Sequence, residues 1–361
     1  MKNVFLEAYT NVNLGDDLFI KILCERYPQV NFILFAPKEY KRIFKKNKNI
    51  KCFSNSSYKI RLIDKLFAMF NRKNYFQTKI KKSCIATVKI GGSMFIQSVN
   101  WRKHLDEFGK NTPDNPYFLL GANFGPYDEE EYYGLHQRVF KEYTDICFRE
   151  SLSYALFKQL PNVRVADDIV FNLKTKLNGH VKNEVFISVI KPSYRNQIKH
   201  TEKQYFETLS KLIIKFIQNS IKVNLVGFCQ NEGDNEGIST IIDIIPQEYQ
   251  RHVNAHQYTG NIDEILELMS RSKYVIATRF HAMILAWLYK KPVLPLVYSQ
   301  KMQNIIDDVG FKGLTFNITE MDNLDPEEVL FSLKSQEVME IKKQVVNSRS
   351  HFLILDQYLS G

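Results

Sequence analysis

Residues 278–281, Thr-Arg-Phe-His, place an arginine and a histidine where a predicted strand ends and a predicted helix begins. A helix N-terminus offers free backbone N–H groups to an anion, and a guanidinium binds phosphate or carboxylate through two parallel hydrogen bonds. Histidine is the side-chain type whose ordinary pKa suits proton transfer near neutrality. Arg279 and His281 therefore indicate either an anion-binding catalytic turn or a surface arginine beside a helix-capping histidine.

Two further cations follow predicted strands. Arg149 comes directly after the apolar strand 145–148 and is either a second anion contact or the partner of a carboxylate that holds the turn. Lys301 follows the strand 292–296 and either reaches an anion or is solvated at the surface. Ligands of open parallel sheets bind beyond the carboxyl ends of the strands, so this shared position is the informative feature.

Carboxylates and glycines also follow predicted strands. Asp16 and Asp17 come after Gly15 and the first strand, 4–8. A carboxylate there either binds sugar hydroxyls and accepts a proton, or caps the next helix. Glycine lets a ligand approach the backbone closely. The other small or polar residues at strand ends are Asn13, Gly91, Gly92, Ser93 and Asn123.

Apolar strands alternate with helical patterns along the chain, which predicts parallel sheets covered by helices on both faces. The pattern pauses at the polar segment 173–183, which we interpret as the linker between two domains, and then restarts. We predict an N-terminal domain, 1–175, and a C-terminal domain, 180–325, with helices in 326–361 that pack back on the N-terminal domain. Two Rossmann-like domains indicate a GT-B-like α/β fold with an active-site cleft between the domains.

Charge is concentrated in the N-terminal half. The segment 38–89 contains 16 lysines and arginines and two acidic residues, a net charge of +14, whereas the whole chain carries +10. Within it, 58–73 is a basic amphipathic segment with Ile60, Ile63, Leu66, Phe67 and Phe70 on one helical face. Either this apolar face packs inward on its own domain, or the helix lies on an anionic membrane. A basic block otherwise serves as a solubilising surface.

The remaining composition narrows the class of protein. The five cysteines are widely spaced and form no CxxC pair, which argues against a zinc site or a disulfide framework. The N-terminus lacks the pattern of a secretory signal, and no apolar run approaches the ~20 residues of a membrane span. We expect a cytoplasmic protein without a bound metal.

Six segments that follow predicted strands recur in a fixed order along the chain: 13–17 (NLGDD), 91–93 (GGS), 121–126 (GANFGP), 148–151 (FRES), 166–168 (ADD) and 258–301, which includes TRFHA. In order and approximate spacing, these six segments resemble the polysaccharide pyruvyl transferase family. The chain departs from the family pattern at four positions, Ser93, Glu150, Asp167 and Phe280, which usually carry Gly, Asp, Pro and Leu.

The resemblance implies an enzyme of exopolysaccharide biosynthesis that transfers a pyruvyl group from phosphoenolpyruvate to sugar hydroxyls and forms a ketal. It implies His281 as general acid and Asp16 or Asp17 as the group that orients or deprotonates a hydroxyl. It makes the C-terminal domain the donor side, with Arg279, Phe280 and Lys301 as donor-binding residues and Arg149 as a further donor-binding residue from the N-terminal domain. It makes the N-terminal domain the acceptor side, with Asn13, Gly15, Gly91, Gly92, Ser93 and Asn123.

The resemblance also implies the partners. Phosphoenolpyruvate is a co-substrate and no cofactor is obligatory. The acceptor is a sugar, a glycan or a lipid-linked oligosaccharide, with peripheral contact to an anionic membrane and no nucleic acid. Two other functions stay open on the same residues: a GT-B glycosyltransferase that uses a nucleotide-sugar, and a non-catalytic glycan-binding protein.

Overall fold

The computed structural model describes residues 1–54, 56–68, 74–102, 115–175 and 180–361. The chain forms two compact units. Unit 1 contains residues 1–10, 16–172 and 344–361, and unit 2 contains residues 11–15 and 173–343. In the described ranges, no helix is long and apolar enough to cross a membrane.

Unit 1 is built on a seven-stranded parallel sheet whose strand order is β3-β2-β1-β4-β5-β6-β7. Its central strands are buried on both faces, as expected of a parallel sheet covered by helices. The elements are β1 Lys2–Ala8, α1 Leu14–Arg26, β2 Val30–Phe35, α2 Tyr40–Ile43, β3 Ile50–Phe53, α3 Tyr58–Ala68, α4 Tyr75–Ser83, β4 Ala86–Ile90, β5 Tyr117–Ala122, α5 Glu130–Lys141, β6 Asp145–Phe148, α6 Ser151–Phe157 and β7 Val163–Val165.

Unit 2 repeats this plan with six parallel strands in the order β10-β9-β8-β11-β12-β13. The elements are β8 Lys182–Val189, α7 Glu202–Gln218, β9 Lys222–Gly227, α8 Asp234–Ile244, α9 Gln247–Gln250, β10 Val253–Gln257, α10 Ile262–Arg271, β11 Ser272–Ala277, α11 Phe280–Leu288, β12 Val293–Val297, α12 Gln300–Val309, β13 Phe316–Asn317, α13 Pro326–Ser335, α14 Lys342–Ser348 and α15 Leu353–Ser360, of which α15 and most of α14 belong to unit 1.

The strand order of each sheet reverses at one point. In unit 1, β2 and β3 lie on one side of β1, whereas β4 and the later strands lie on its other side. In unit 2, β9 and β10 lie on one side of β8, and β11 to β13 lie on its other side. Ligands of such sheets bind beyond the carboxyl ends of the strands at this switch point. In unit 2 that position is occupied by the turn that carries Arg279 and His281.

Two short segments belong to a different unit from the residues that adjoin them in sequence. Residues 11–15 belong to unit 2, where Asn13 pairs with Cys229 in an isolated bridge and the Leu14 amide donates to the Phe228 carbonyl at 3.1 Å. The C-terminal helix α15 belongs to unit 1, where Asp356 accepts a hydrogen bond from Tyr27 Oη at 2.7 Å and pairs with Arg26.

The structure differs from the predicted elements where polar residues form strands. β10 was absent from the sequence-based prediction because most of its side chains are exposed at a sheet edge and show no apolar run. β8 begins at Lys182, inside the segment predicted as a linker. Helix α13 packs on α7 in unit 2, whereas we predicted that the helices of 326–361 pack back on the N-terminal domain.

The predicted amphipathic segment 58–73 is described as far as Ala68, and residues 69–73 lie outside the described residues. Over this range, Ile60 is buried, as predicted for the inward face. Leu66, which was assigned to that inward face, is 55% exposed. The face that packs inward is therefore centred between Ile60 and Phe67 rather than on Leu66.

Because α15 is held in unit 1 by a fully buried leucine, Leu355→Ala should lower the free energy of unfolding of unit 1 by about 2–5 kcal/mol. Urea unfolding followed by Trp101 emission in a Trp287→Phe background reports on unit 1 alone, since the chain has two tryptophans. The control Leu353→Ala, at a position that is 50% exposed, should change the free energy of unfolding of unit 1 by about 0.5 kcal/mol or less. Equal effects of both variants would contradict this packing.

Candidate functional site

The turn after β11 is fixed from the neighbouring strand β8. The backbone amides of Thr278 and Arg279 donate to the hydroxyl of Ser188 at 2.9 and 3.0 Å, and Ser188 lies on β8. Tyr205 Oη lies 3.2 Å from Thr278 Oγ1 and braces the same turn. These contacts hold the N-terminus of α11 at the switch point of the unit 2 sheet.

The Arg279 guanidinium is buried and pairs with two carboxylates. Nη1 donates to Glu232 Oε2 at 2.5 Å, and Nη2 donates to Asp234 Oδ1. Asp234 is itself fully buried and accepts hydrogen bonds from the backbone amides of Phe228 and Cys229 at 2.8 and 2.9 Å. Burial alone would lower the pKa of Arg279, but Asp234 and Glu232 raise it, so this cation is permanent.

Glu232 joins Arg279 to a second arginine. Its Oε2 also accepts from Arg195 Nη2 at 2.5 Å, and its Oε1 accepts from Asn13 Nδ2 at 3.3 Å. Burial would raise the pKa of Glu232, but Arg279 and Arg195 lower it to about 2. This carboxylate is therefore ionised at neutral pH and is not suited to be a general base.

Tyr298 and Lys301 extend this cationic region from the end of β12. The Arg195 guanidinium lies 5.4 Å from the centre of the Tyr298 ring, and Lys301 Nζ lies 5.8 Å from the centre of the Phe280 ring. Burial would raise the pKa of Tyr298, but Lys301, Arg195 and Arg279 together lower it. Three cations thus converge at the carboxyl edge of the unit 2 sheet, which suits a ligand with more than one negative charge.

His281 is half-buried in the first turn of α11, and Gly15 gives it room. A Cβ atom at position 15 would lie 1.9 Å from His281 Nδ1, so only glycine permits the imidazole to occupy this position. The Gly15 amide donates to Asn13 Oδ1 at 3.0 Å. The structure therefore brings Asn13 and Gly15, which were predicted to bind the acceptor, together with the residues predicted for the donor.

Unit 1 has its own buried arginine at the carboxyl edge of its sheet, directly after β6. Arg149 Nη1 donates to Asp168 Oδ2 at 3.0 Å, and Nη2 donates to Asn123 Oδ1 at 2.7 Å. A Cβ at Gly92 would lie 2.6 Å from Arg149 Nη1, and Ser93 Oγ donates to Asn123 Oδ1 at 3.3 Å. The structure thus shows the carboxylate pair that the sequence left open for Arg149, and it brings four predicted residues of unit 1 together.

The two aspartates of the first turn of α1 differ in their surroundings. Asp17 is fully buried and accepts a hydrogen bond from Tyr40 Oη at 2.8 Å. Asp16 is half-buried. Asp16 is therefore the more accessible of the two carboxylates, and Asp17 supports the packing of unit 1. Gly91 precedes Gly92 in the same loop and adopts a φ of 154°.

Four residues of this cluster were not among the predicted site residues: Arg195, Glu232, Asp234 and Tyr298. Glu232 and Asp234 follow β9 just as Arg279 follows β11, so the rule of polar residues after strands applies to them as well. Arg195 lies farther from its strand, after the short 3₁₀ turn Pro192–Tyr194, and its sequence position carries no comparable signal. Among the described residues, no group of three His, Cys, Asp or Glu side chains is placed to hold a metal ion.

Residues 13–300 match the family described as polysaccharide pyruvyl transferase. A similar characterised protein is the amylovoran biosynthesis protein AmsJ of Erwinia amylovora, which is 20% identical over 256 residues. That alignment covers 64% of this chain and 61% of the length of AmsJ.

Solved structures share the two-domain fold at low sequence identity. Anabaena HepE, solved in complex with UDP and glucose, is 13% identical with a TM-score of 0.58, and the match covers 100% of this chain and 99% of HepE. S. aureus MnaA, solved with UDP, is 12% identical with a TM-score of 0.61, covering 100% and 97%. The Methanocaldococcus jannaschii UDP-GlcNAc 2-epimerase is 11% identical with a TM-score of 0.60, and both chains are covered fully. These likenesses confirm the predicted pair of Rossmann-like domains in a GT-B-like fold.

Because Gly15 leaves room for the imidazole, Gly15→Ala should displace His281 with a clear change in its ring NMR resonances. The matched control is Gly134→Ala in α5, where a Cβ meets no atom within 4 Å. Gly134→Ala should leave those resonances unchanged and stabilise unit 1 by about 0.5–1 kcal/mol, since alanine is the better helix former. Unchanged His281 resonances in Gly15→Ala would contradict the close packing.

Proposed function

The chain belongs to the polysaccharide pyruvyl transferase family, and from that premise we propose that it transfers a pyruvyl group from phosphoenolpyruvate to two hydroxyls of a sugar. The product is a cyclic ketal on a glycan, made during the synthesis of an exopolysaccharide, as the similarity to the amylovoran biosynthesis protein AmsJ suggests. The observation that carries the proposal is the convergence of Arg279, Arg195 and Lys301 beside His281 in unit 2.

Phosphoenolpyruvate carries a phosphate and a carboxylate on the same carbon atom. Such a ligand needs several cations, and guanidinium groups bind both of its anions with paired hydrogen bonds. Arg279 stays charged at all relevant pH values because Asp234 and Glu232 raise its pKa. The free amides at the start of α11 add positive potential at the same edge. This arrangement supports unit 2 as the donor side.

His281 supplies the proton in this proposal. It protonates the methylene carbon of phosphoenolpyruvate, and the adjacent carbon becomes electrophilic. The first sugar hydroxyl forms a C–O bond to that carbon, and its proton restores the imidazolium. Phosphate leaves, the second hydroxyl forms the second C–O bond, and its proton departs with the phosphate. The cations stabilise the charge that develops on the leaving phosphate.

The acceptor is proposed to use the unit 1 residues that follow β1 and β4. Asp16 is the accessible carboxylate of the first turn of α1, and carboxylates bind sugar hydroxyls by accepting hydrogen bonds. Ser93 and Asn123 offer neutral polar groups close to Arg149. No obligatory cofactor enters this scheme, in which phosphoenolpyruvate is a co-substrate.

Phosphoenolpyruvate at ~100 times its dissociation constant should stabilise the folded protein by roughly 2.7 kcal/mol, whereas UDP-glucose at the same concentration should not. Thermal unfolding read from Trp287 in a Trp101→Phe background follows unit 2. His281→Gln should keep this shift but reduce phosphate release with a panel of sugar acceptors by about 10²–10⁴-fold.

The control His200→Gln changes an exposed histidine of the same unit and should leave both measurements unaltered. Stabilisation by UDP-glucose alone would replace this proposal with glycosyl transfer. A tight glycan complex without phosphate release would instead favour a non-catalytic binding protein.

Helix α3 supports the proposed contact with an anionic membrane. Tyr58, Leu62 and Leu66 are 79%, 47% and 55% exposed and recur every four residues, so they share one face. The exposed side chains of Arg61 and Lys65 lie beside this apolar stripe. An apolar stripe flanked by cations is typical of a helix that lies in the interface of an anionic membrane. Such a contact would bring the enzyme to a lipid-linked acceptor at the cytoplasmic face.

The protein should sediment with vesicles of phosphatidylcholine and phosphatidylserine and less with phosphatidylcholine alone, because both apolar burial and charge contribute. The double variant Leu62→Gln, Leu66→Gln should lose most of this binding. Leu353→Gln removes an equally exposed leucine from another helix of unit 1 and serves as the control. Equal sedimentation of the double variant and the control would rule out α3 as the membrane contact.

A further inference from the structure

One carboxylate, Glu232, occupies the space between two arginines. Its Oε2 atom accepts from Arg195 Nη2 and from Arg279 Nη1, both at 2.5 Å. Two guanidinium groups that converge on one oxygen atom form a receptor for an oxyanion. We refer to Arg195 and Arg279 as the arginine pair.

The two carboxylates bound to Arg279 differ in how the fold holds them. Asp234 is fully buried and receives two backbone amides, so it belongs to the framework of the turn. The side chain of Glu232 is 30% exposed, and among the described residues its carboxylate accepts hydrogen bonds from side chains, those of the arginine pair and Asn13. A change of side-chain torsions alone would therefore move the Glu232 carboxylate away while Asp234 stays in place.

The arginine pair also has unused capacity for hydrogen bonding. Arg279 is 6% exposed, and its Nε atom has no hydrogen-bond partner among the described residues. A buried donor of this kind normally has a partner, because burial without one costs free energy. Lys301 adds positive charge to the same region, as its effect on Glu232 and Tyr298 shows. The region is thus suited to a ligand with more negative charge than one carboxylate.

We propose that Glu232 is an internal substitute for the substrate anion, and that the phosphate or carboxylate of the donor displaces it from the arginine pair. Arg195 is then a donor-binding residue in addition to Arg279. Glu232 takes no part in proton transfer, and it keeps the arginine pair ordered and neutralised when no donor is bound. This inference rests on the proposed function for the identity of the donor, but it requires only an oxyanion ligand.

Displacement of Glu232 from the arginine pair reduces the free energy of anion binding by a measurable amount. A binding anion must break the hydrogen bonds of Glu232 and overcome its negative charge, and both lower the apparent affinity. Glu232→Gln keeps an oxygen that accepts from a guanidinium but removes the charge that competes with the ligand. This variant should bind inorganic phosphate and phosphoenolpyruvate about tenfold more tightly, which corresponds to about 1.4 kcal/mol. Arg195→Gln should bind both about tenfold more weakly, because one of the two guanidinium groups is lost.

Isothermal titration calorimetry with inorganic phosphate and with phosphoenolpyruvate measures these changes in the full chain. Glu236→Gln is the matched control, because Glu236 lies four residues further along the chain, in α8, and pairs with Lys191 and Tyr194 instead of the arginine pair. It should bind both ligands as the unsubstituted protein does. Circular dichroism in the aromatic region establishes that each variant keeps its tertiary structure.

The outcomes separate this inference from the proposed function. Tighter binding of both ligands by Glu232→Gln, with weaker binding by Arg195→Gln, supports the exchange even if no acceptor is ever pyruvylated. Unchanged or weaker binding by Glu232→Gln would overturn the exchange, even if the protein transfers pyruvate. If Glu232→Gln loses tertiary structure, the affinity of the unsubstituted protein for phosphate is measured with and without chloride as a competing anion. A phosphate affinity that changes neither with chloride nor in Arg195→Gln would also overturn the proposed exchange.

Discussion

The burial of the Arg279 guanidinium at the end of β11 is the constraint on which unit 2 depends. A buried cation is stable only when carboxylates and hydrogen bonds compensate its lost hydration. Asp234 and Glu232 supply that compensation from the turn after β9, and Ser188 fixes the backbone of Arg279 from β8. Three neighbouring strand ends are thereby tied together, and His281 is held two residues further along.

Each unit buries an arginine at the carboxyl edge of its sheet, and different carboxylates neutralise the two arginines. In unit 1, Arg149 is buried at the corresponding sheet edge and is neutralised by Asp168. In both units a glycine makes space for a predicted site residue, Gly92 for Arg149 and Gly15 for His281. The glycines that were predicted as places of ligand approach therefore also serve as places where a protein side chain approaches the backbone.

The sequence predicted the alternation of strands and helices, and with it the position of Arg279 and His281 just after a strand. It did not predict which carboxylates meet Arg279, because Asp234 lies 45 residues away and the contact depends on strand order. β10 was missed because an exposed edge strand lacks the apolar pattern of a buried one. Local patterns thus gave the fold and the sheet edge, while the charge pairs required three-dimensional proximity.

The most direct test of the central claim is a crystal structure of the protein with phosphoenolpyruvate bound. We predict that an oxyanion of the ligand accepts hydrogen bonds from Arg195 and Arg279, that Glu232 has turned away, and that Asp234 still pairs with Arg279. The methylene carbon should then face His281. Phosphoenolpyruvate bound at a site that includes neither arginine would contradict the account, as would Glu232 retained between the two guanidinium groups.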